Sequence, residues 1–343
     1  MRSAGREYEL IAVLATTEAQ AARRALGEAL FVEEGALTAA LASPAARRLW
    51  TTRKAVGRAL VRRQADLEAL HACAGVAPAA PGARFPDAES ARRFLAANAA
   101  MLGAALSRFG GREQHQIVID LPQEAALAAM KRRAEWPDLA DALRAARAAA
   151  ERRAAAARLA ALAQAVREGL ARSAEARLAA ASLDRAQLPL AEETTALNIV
   201  ALTDRGGAGA LEAALEAIDA AWEGALRIKL IGPSPATSFG AILLDTPEPG
   251  AVAEAEALLK LEAAAGPEAV QAAYRAAMKR AHPDVAGEAA TALSRRISAA
   301  NRLMKRVSTA RAALLDAGWA APRGAGSPPL ARLWREGDGV AAG

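Results

Sequence analysis

The sequence predicts an α+β protein built from an N-terminal ferredoxin-like domain, a second α+β domain with a long Ala-rich helical insertion (a hairpin or coiled-coil-like element), and a C-terminal all-helical module. Three observations carry this. Short apolar runs at 8–15, 29–32, 36–41 and 116–121 alternate with segments of helical composition, in the order β-α-β-β-α-α-β. From 123 to 187 the chain is alanine-rich and almost wholly helical in pattern. After a Pro- and acid-rich linker at 244–249, residues 251–317 read as helices only. The expected organisation is 1–121 ferredoxin-like, 122–187 helical, 188–246 the second α+β part, 251–318 the helical module and 319–343 a flexible tail.

Residues 8–15 alternate loosely and open the first layer as a strand. Thr16 or Thr17 is a natural N-cap ahead of Glu18, which predicts a helix over 17–30. Glu33-Glu34-Gly35 between two apolar runs signals a hairpin. Ser43-Pro44 starts a helix over 45–70 with Leu60, Leu67 and Leu70 on one stripe. The Pro/Gly/Ala composition of 75–87 predicts a loop. A helix over 87–108 and a strand over 116–121 complete this layer.

In the next region Trp136-Pro137 marks a fresh helix start, since proline fits the first turn. One straight helix over 138–187 would extend roughly 75 Å. Gly169 and the broken leucine seam make an antiparallel hairpin an equal expectation. A strand over 196–203, a loop over 204–209, a helix over 210–223 and a strand over 225–231 follow. At the end of that strand lies Gly232-Pro233-Ser234-Pro235-Ala236-Thr237-Ser238-Phe239. Two prolines fix φ and remove donors, so the chain is expected to leave the sheet here as a stiff corner.

Composition narrows the function. The 53% hydrophobic fraction is largely alanine, with 3% aromatics, which suits close-packed helices. The single cysteine, Cys73, excludes an internal disulfide framework. The first twenty residues lack a signal-peptide pattern, and every apolar run is far shorter than the roughly 20 residues of a membrane span, so a soluble cytoplasmic protein is expected. Residues 270–311 carry nine Lys or Arg (Arg275, Lys279, Arg280, Arg295, Arg296, Arg302, Lys305, Arg306, Arg311) against Asp284 and Glu288. This net +7 accounts for the whole formal charge of +6. Such a stretch suits an acidic protein surface or nucleic acid. With Tyr274 its only aromatic, it lacks the stacking platforms of a single-strand binder, which disfavours nucleic acid.

No catalytic centre emerges. The glycines at 206, 207 and 209 follow a strand, but a dinucleotide fingerprint would need its third glycine where Glu212 stands. With His71, His115 and His282 as the only histidines, and His71-Ala72-Cys73 the sole close pair, neither a zinc cage nor a histidine-based nucleophile is supported. The expectation is a non-enzymatic protein without cofactor or metal.

The corner at 232–239 resembles the Gly-Pro-Trp-Pro-Pro-Tyr-Ser-Phe signature of the gas vesicle proteins GvpF and GvpL, with Gly232, Pro233, Pro235, Ser238 and Phe239 matching. Three more segments are similar to that family: Ala83-Arg84-Phe85, the stretch 109–118 with Glu113 leading into a strand, and the strand 197–205. Their order holds across residues 6–245. Ser234, Ala236 and Thr237 stand where the family has Trp, Pro and Tyr, and Pro86 where it has glycine. The resemblance implies an accessory protein of gas vesicle assembly, binding the small hydrophobic shell protein and limiting its early aggregation.

Residues 274–284, Tyr-Arg-Ala-Ala-Met-Lys-Arg-Ala-His-Pro-Asp, are a basic amphipathic helix ending at a proline corner. With Ile297 and 299–301 on a returning basic helix, this resembles helices II and III of a J-domain. The resemblance implies His282, Pro283 and Asp284 as contacts to an Hsp70-type chaperone, with Arg275, Lys279 and Arg280 as steering charges. Together the two resemblances imply an assembly factor that recruits an Hsp70 to its client. The rivals are a general J-domain co-chaperone with other clients and, less favoured, a nucleic-acid-binding protein.

Overall fold

The computed structural model describes residues 7–42, 53–190, 192–262, 264–281, 283–319 and 328–336, the side chains of 55 and 283–290 excepted. The chain divides into two compact units, Met1–Gly110 with Gly240–Trp334, and Gly111–Phe239 with the residues from Arg335 onward. The architecture is α+β with antiparallel sheets and a helical C-terminal region.

The first unit opens with β1 (Tyr8–Ala15), a single 3-10 turn and α1 (Ala19–Ala25). The hairpin β2 (Leu30–Glu34) and β3 (Leu37–Ala42) follows, then α2 (Arg53–Cys73) and β4 (Val76–Pro78). The expected start of α2 at Ser43-Pro44 lies outside the described residues. The strands pair antiparallel in the order β2-β3-β1-β4, which is the ferredoxin-like plait. Leu67 and Leu70 pack with Ile11, Leu14 and Val76 in its core, whereas Leu60 is 42% exposed.

The closing strand is therefore β4, inside the segment expected to be a loop. It has three residues and ends in proline, too short to show a period. β5 (Arg84–Phe85) adds to β1. The helix expected over 87–108 is two, α3 (Ala88–Ala97) and α4 (Ala99–Phe109). They break at Asn98, whose side chain donates to the carbonyls of Phe94 and Pro329 and accepts from the N–H of Ala331. Asp87 caps α3, accepting from the Ser90 N–H at 2.7 Å.

The second unit begins at β6 (Arg112–Asp120). The strand expected to close the first layer instead opens this second sheet, between β8 and β9. After it come α5 (Gln123–Lys131), α6 (Trp136–Ala145), α7 (Ala149–Ala180), β7 (Asp184–Gln187), β8 (Thr195–Asp204), α8 (Ala208–Ala220) and β9 (Arg227–Pro235). The order β7-β8-β6-β9, antiparallel throughout, repeats the plait of the first unit. Its first crossover is the alanine-rich helical region.

That region is not one rod: it is three helices, of which α6 and α7, joined by the short turn at 146–148, pack against each other. α7 runs straight through Gly169, and its stripe Val166, Leu170, Ala174, Leu178 packs with Ile117, Ile119, Leu197 and Ile199 of the sheet. Leu211, Leu215 and Ile218 of α8 join the same core at helical spacing. A four-residue helix, α9 (Thr237–Gly240), follows β9, and its last residue is counted with the first unit.

The chain then returns to the first unit with β10 (Ala241–Asp245), α10 (Pro249–Leu259), α11 (Pro267–Arg280), α12 (Pro283–Asp316) and β11 (Leu330–Trp334). β11 pairs antiparallel with β10, so the segment expected as a flexible tail contains a strand. Ile297, Ala300, Met304, Val307, Arg311 and Leu314 alternate at spacings of three and four along α12 and are all buried. This seam packs with Val252, Ala255 and Leu259 of α10, Val270 and Ala277 of α11, and Ala96 and Ala97 of α3. The helical segment thus shares a core with α3.

Candidate functional site at the Gly-Pro corner

The prolines do not take the chain out of the sheet. β9 stays paired with β6 to its end, with Ser234 opposite Gln114 and Pro235 opposite Glu113. Gln116 pairs with Ile231, so Gly232 and Pro233 together face the single residue His115, a β-bulge. β9 is an edge strand, where missing proline donors are tolerated, and this overrides the expected exit. The Gly232–Pro233 peptide is cis. Gly232 has φ +144°, and a Cβ there would lie 2.9 Å from the Gln114 carbonyl oxygen and 3.0 Å from His115 Nδ1. Both the backbone and the space require glycine.

Three consecutive residues of β6 organise the corner. Glu113 is 5% exposed; one of its oxygens accepts from the Gly206 N–H at 3.0 Å and lies 3.3 Å from His115 Nε2. The glycine loop at 206–209 is thereby tied to a carboxylate, the wrong charge to neighbour a phosphate. Gln114 carries the other face. Its Nε2 donates to Thr237 Oγ1 at 3.2 Å, its Oε1 accepts from the Ser238 N–H at 2.9 Å, and its carbonyl accepts from Ser234 Oγ at 3.2 Å. Ser234 and Thr237, which stand where the family has aromatic residues, are thus held by hydrogen bonds to one amide-bearing residue. Ala236 is buried beside them.

Phe239 is buried, with the Arg335 guanidinium 5.7 Å from its ring centroid. Arg335 also donates to Asp184 Oδ1 and the Arg185 carbonyl, and the Glu336 N–H donates to the Ser238 carbonyl. The arrangement is a rigid ledge. Glu113, Pro235 and Phe239 form its buried frame, while Gly232, Pro233 and the 54%-exposed Ile231 are its outer surface.

The structure thus gathers Glu113, Gly232, Pro233, Pro235, Ser238 and Phe239 in one place. Arg84 and Phe85 belong to the first unit, where Phe85 is buried against Phe94 with ring centroids 5.2 Å apart. Sequence reasoning missed Gln114, Ile231 and Arg335. A polar triplet, Glu113-Gln114-His115, entering an apolar strand was the available sign of Gln114. Nothing local marked Arg335, which acts 96 residues after Phe239.

In the helical segment, Arg275, Lys279 and Arg280 are exposed on α11 and have no ion-pair partner among the described residues. His282 lies outside the described residues. Pro283 and Asp284 begin α12, their side chains outside that description. Three α12 arginines are neutralised: Arg296 by Glu254 at 2.8 Å, Arg306 by Asp245 at 2.8 Å and Arg311 by Glu256 at 3.0 Å. The basic excess is accordingly smaller in effect than composition indicates. Among the described residues no group of His, Cys, Asp or Glu is placed to hold a metal ion, and no helix is long and apolar enough to cross a membrane.

Two ferredoxin-like plaits with the ledge at the β6–β9 edge define the class: a two-unit α+β protein whose site is a built surface corner. The family model described as gas vesicle synthesis protein GvpL/GvpF matches residues 12–240. The chain belongs to the GvpL/GvpF family, and membership implies a role in gas vesicle assembly. The crystal structure of the gas vesicle protein GvpF from Anabaena sp. PCC7120 is similar in fold, at 16% identity and TM-score 0.54, covering 67% of this chain and 96% of that one. GvpF from Microcystis aeruginosa matches at 12% identity and TM-score 0.48, over 67% and 97%. No curated protein sequence matches.

Proposed function

We propose that the protein is a non-enzymatic accessory factor of gas vesicle assembly that binds the hydrophobic shell protein and limits its aggregation before it polymerises. The observation that carries this reading is the ledge, where Gln114 of β6, Thr237, Ser238 and Phe239 of α9, and Arg335 of the C-terminal segment support an exposed Ile231-Gly232-Pro233 surface. A subunit with uncovered apolar surface needs such a transient partner.

The second reading, recruitment of an Hsp70-type chaperone through His282-Pro283-Asp284, rests on charge placement. On α12 three arginines are matched by acids, whereas Arg275, Lys279 and Arg280, just ahead of the tripeptide, are left open. Long-range steering to an acidic face uses charges of that kind.

The test is retention of the shell protein and of an Hsp70 on the tagged full chain from cells making vesicles. Substitution serves better than truncation, because deleting α10–α12 would uncover Ala96 and Ala97 of the first unit. The expected result is both proteins on the wild type and only the shell protein on His282→Gln. Absence of the shell protein from both chains removes the first reading; an Hsp70 retained equally by both removes the second.

A further inference from the structure

Among the described residues, the outer edge of β9 has no strand beside it. β9 is terminal in the sheet, and every second residue over 227–231 turns its N–H and C=O away from β6. No hydrogen bond satisfies these groups among the described residues. Natural sheets usually blunt such an edge. Here Pro233, Pro235 and the bulge at Gly232 blunt only the far end and leave five residues open.

We propose that this open edge docks an extended partner segment that alternates acidic and apolar residues. The charge pattern selects the partner. Ile228 and Leu230 face the core, while Arg227, Lys229 and Ile231 share the exposed face. Arg227 has no ion-pair partner among the described residues. Lys229 Nζ lies 3.9 Å from Asp120, a carboxylate already accepting from Thr195 Oγ1 at 2.8 Å. An added strand with carboxylates opposite Arg227 and Lys229, and apolar residues opposite Ile228 and Leu230, would satisfy both faces and the main chain together.

The same charges work against a second copy of the chain. The antiparallel register that pairs all of 227–231 with itself sets Lys229 against Lys229, and like charges directly opposed destabilise a strand pair. The bulge then acts as a stop, because an incoming strand finds no continuous ladder past Ile231. This docking goes beyond the assembly role and does not depend on which protein supplies the segment.

The test uses the full-length chain and capped seven-residue peptides, followed by fluorescence anisotropy. The probe alternates valine and glutamate; a second replaces each glutamate by lysine. Two further glutamate peptides are N-methylated on the odd or the even nitrogens. The expected results are saturable binding of the probe, at least tenfold weaker binding of the lysine peptide, and at least tenfold loss for one of the two methylated peptides. The Arg227→Glu/Lys229→Glu variant, its fold checked by circular dichroism, should reverse the preference. Equal binding of both charge forms, unchanged binding of both methylated peptides, or no saturable binding would overturn the proposal. Dimerisation that Ile231→Lys abolishes would overturn it too, in favour of a second copy.

Discussion

Gly232→Ala is the sharpest perturbation of the corner. Two costs add at this position. The φ of +144° is one that residues with a Cβ rarely adopt, which costs about 1–3 kcal/mol. The new methyl would also lie 2.9 Å from the Gln114 carbonyl oxygen and 3.0 Å from His115 Nδ1. Both belong to β6, an interior strand paired on both sides, so neither neighbour moves freely; overpacking of this kind costs about 1–3 kcal/mol. The sum is about 2–6 kcal/mol, a large part of the roughly 5–15 kcal/mol that holds a domain folded. Native-state hydrogen exchange, read by mass spectrometry on peptides covering β6 and β8, isolates the second unit. Exchange there should accelerate at least about thirty-fold, since 1.4 kcal/mol is a factor of ten. Gly206→Ala is the control. Its φ is +78°, but nothing lies within 4 Å of the added methyl, so only the backbone cost of about 1–2 kcal/mol applies. If Gly232→Ala accelerates exchange less than threefold, or less than Gly206→Ala does, the packing argument is wrong.

Other expectations follow from the same geometry. Gln114→Ala leaves the partly buried Ser238 N–H without its acceptor and should cost about 1–3 kcal/mol in the second unit, measured by the same exchange. Gly240→Ala places a methyl into the buried Phe109 ring and should destabilise the first unit by about 1–3 kcal/mol, with β6 and β8 peptides unchanged. Asp87→Ala removes the α3 cap and should cost about 1 kcal/mol at neutral pH. The Ser90 backbone N–H, and after it the Ser90 hydroxyl, hold the Asp87 carboxyl below its ordinary value. Its contribution is therefore full above the unfolded pKa of about 3.9 and lost as pH falls through the lower folded value. Urea melts of wild type and variant should converge in acid; a gap that persists there would contradict the assignment.

Much of the fold was legible because its signals are local. The run at 8–15, the hairpin around Glu33-Glu34-Gly35 and the helix start at Trp136-Pro137 fall where pattern and turn chemistry place them. What sequence could not show was pairing. β6 has the same apolar character whether it closes one sheet or opens the next, and only its partners β8 and β9 decide. β4 and β7, of three and four residues, are too short for a period to appear, and without β7 the repeated plait is invisible. The corner residues were readable as a motif, but their geometry was not. Two prolines argued for an exit from the sheet, and the edge position of β9 makes them compatible with staying in it. Gln114 escaped notice because a polar residue entering a strand reads as solvent-facing unless its partners, Thr237 and Ser238, are known.

The most direct test of the central claim is aggregation of the purified shell protein on dilution from denaturant, followed by light scattering with and without the full-length chain. The account predicts that an equimolar amount suppresses scattering, and that Gly232→Ala, at equal folded concentration, suppresses it less. Scattering that rises equally with and without the chain would contradict it.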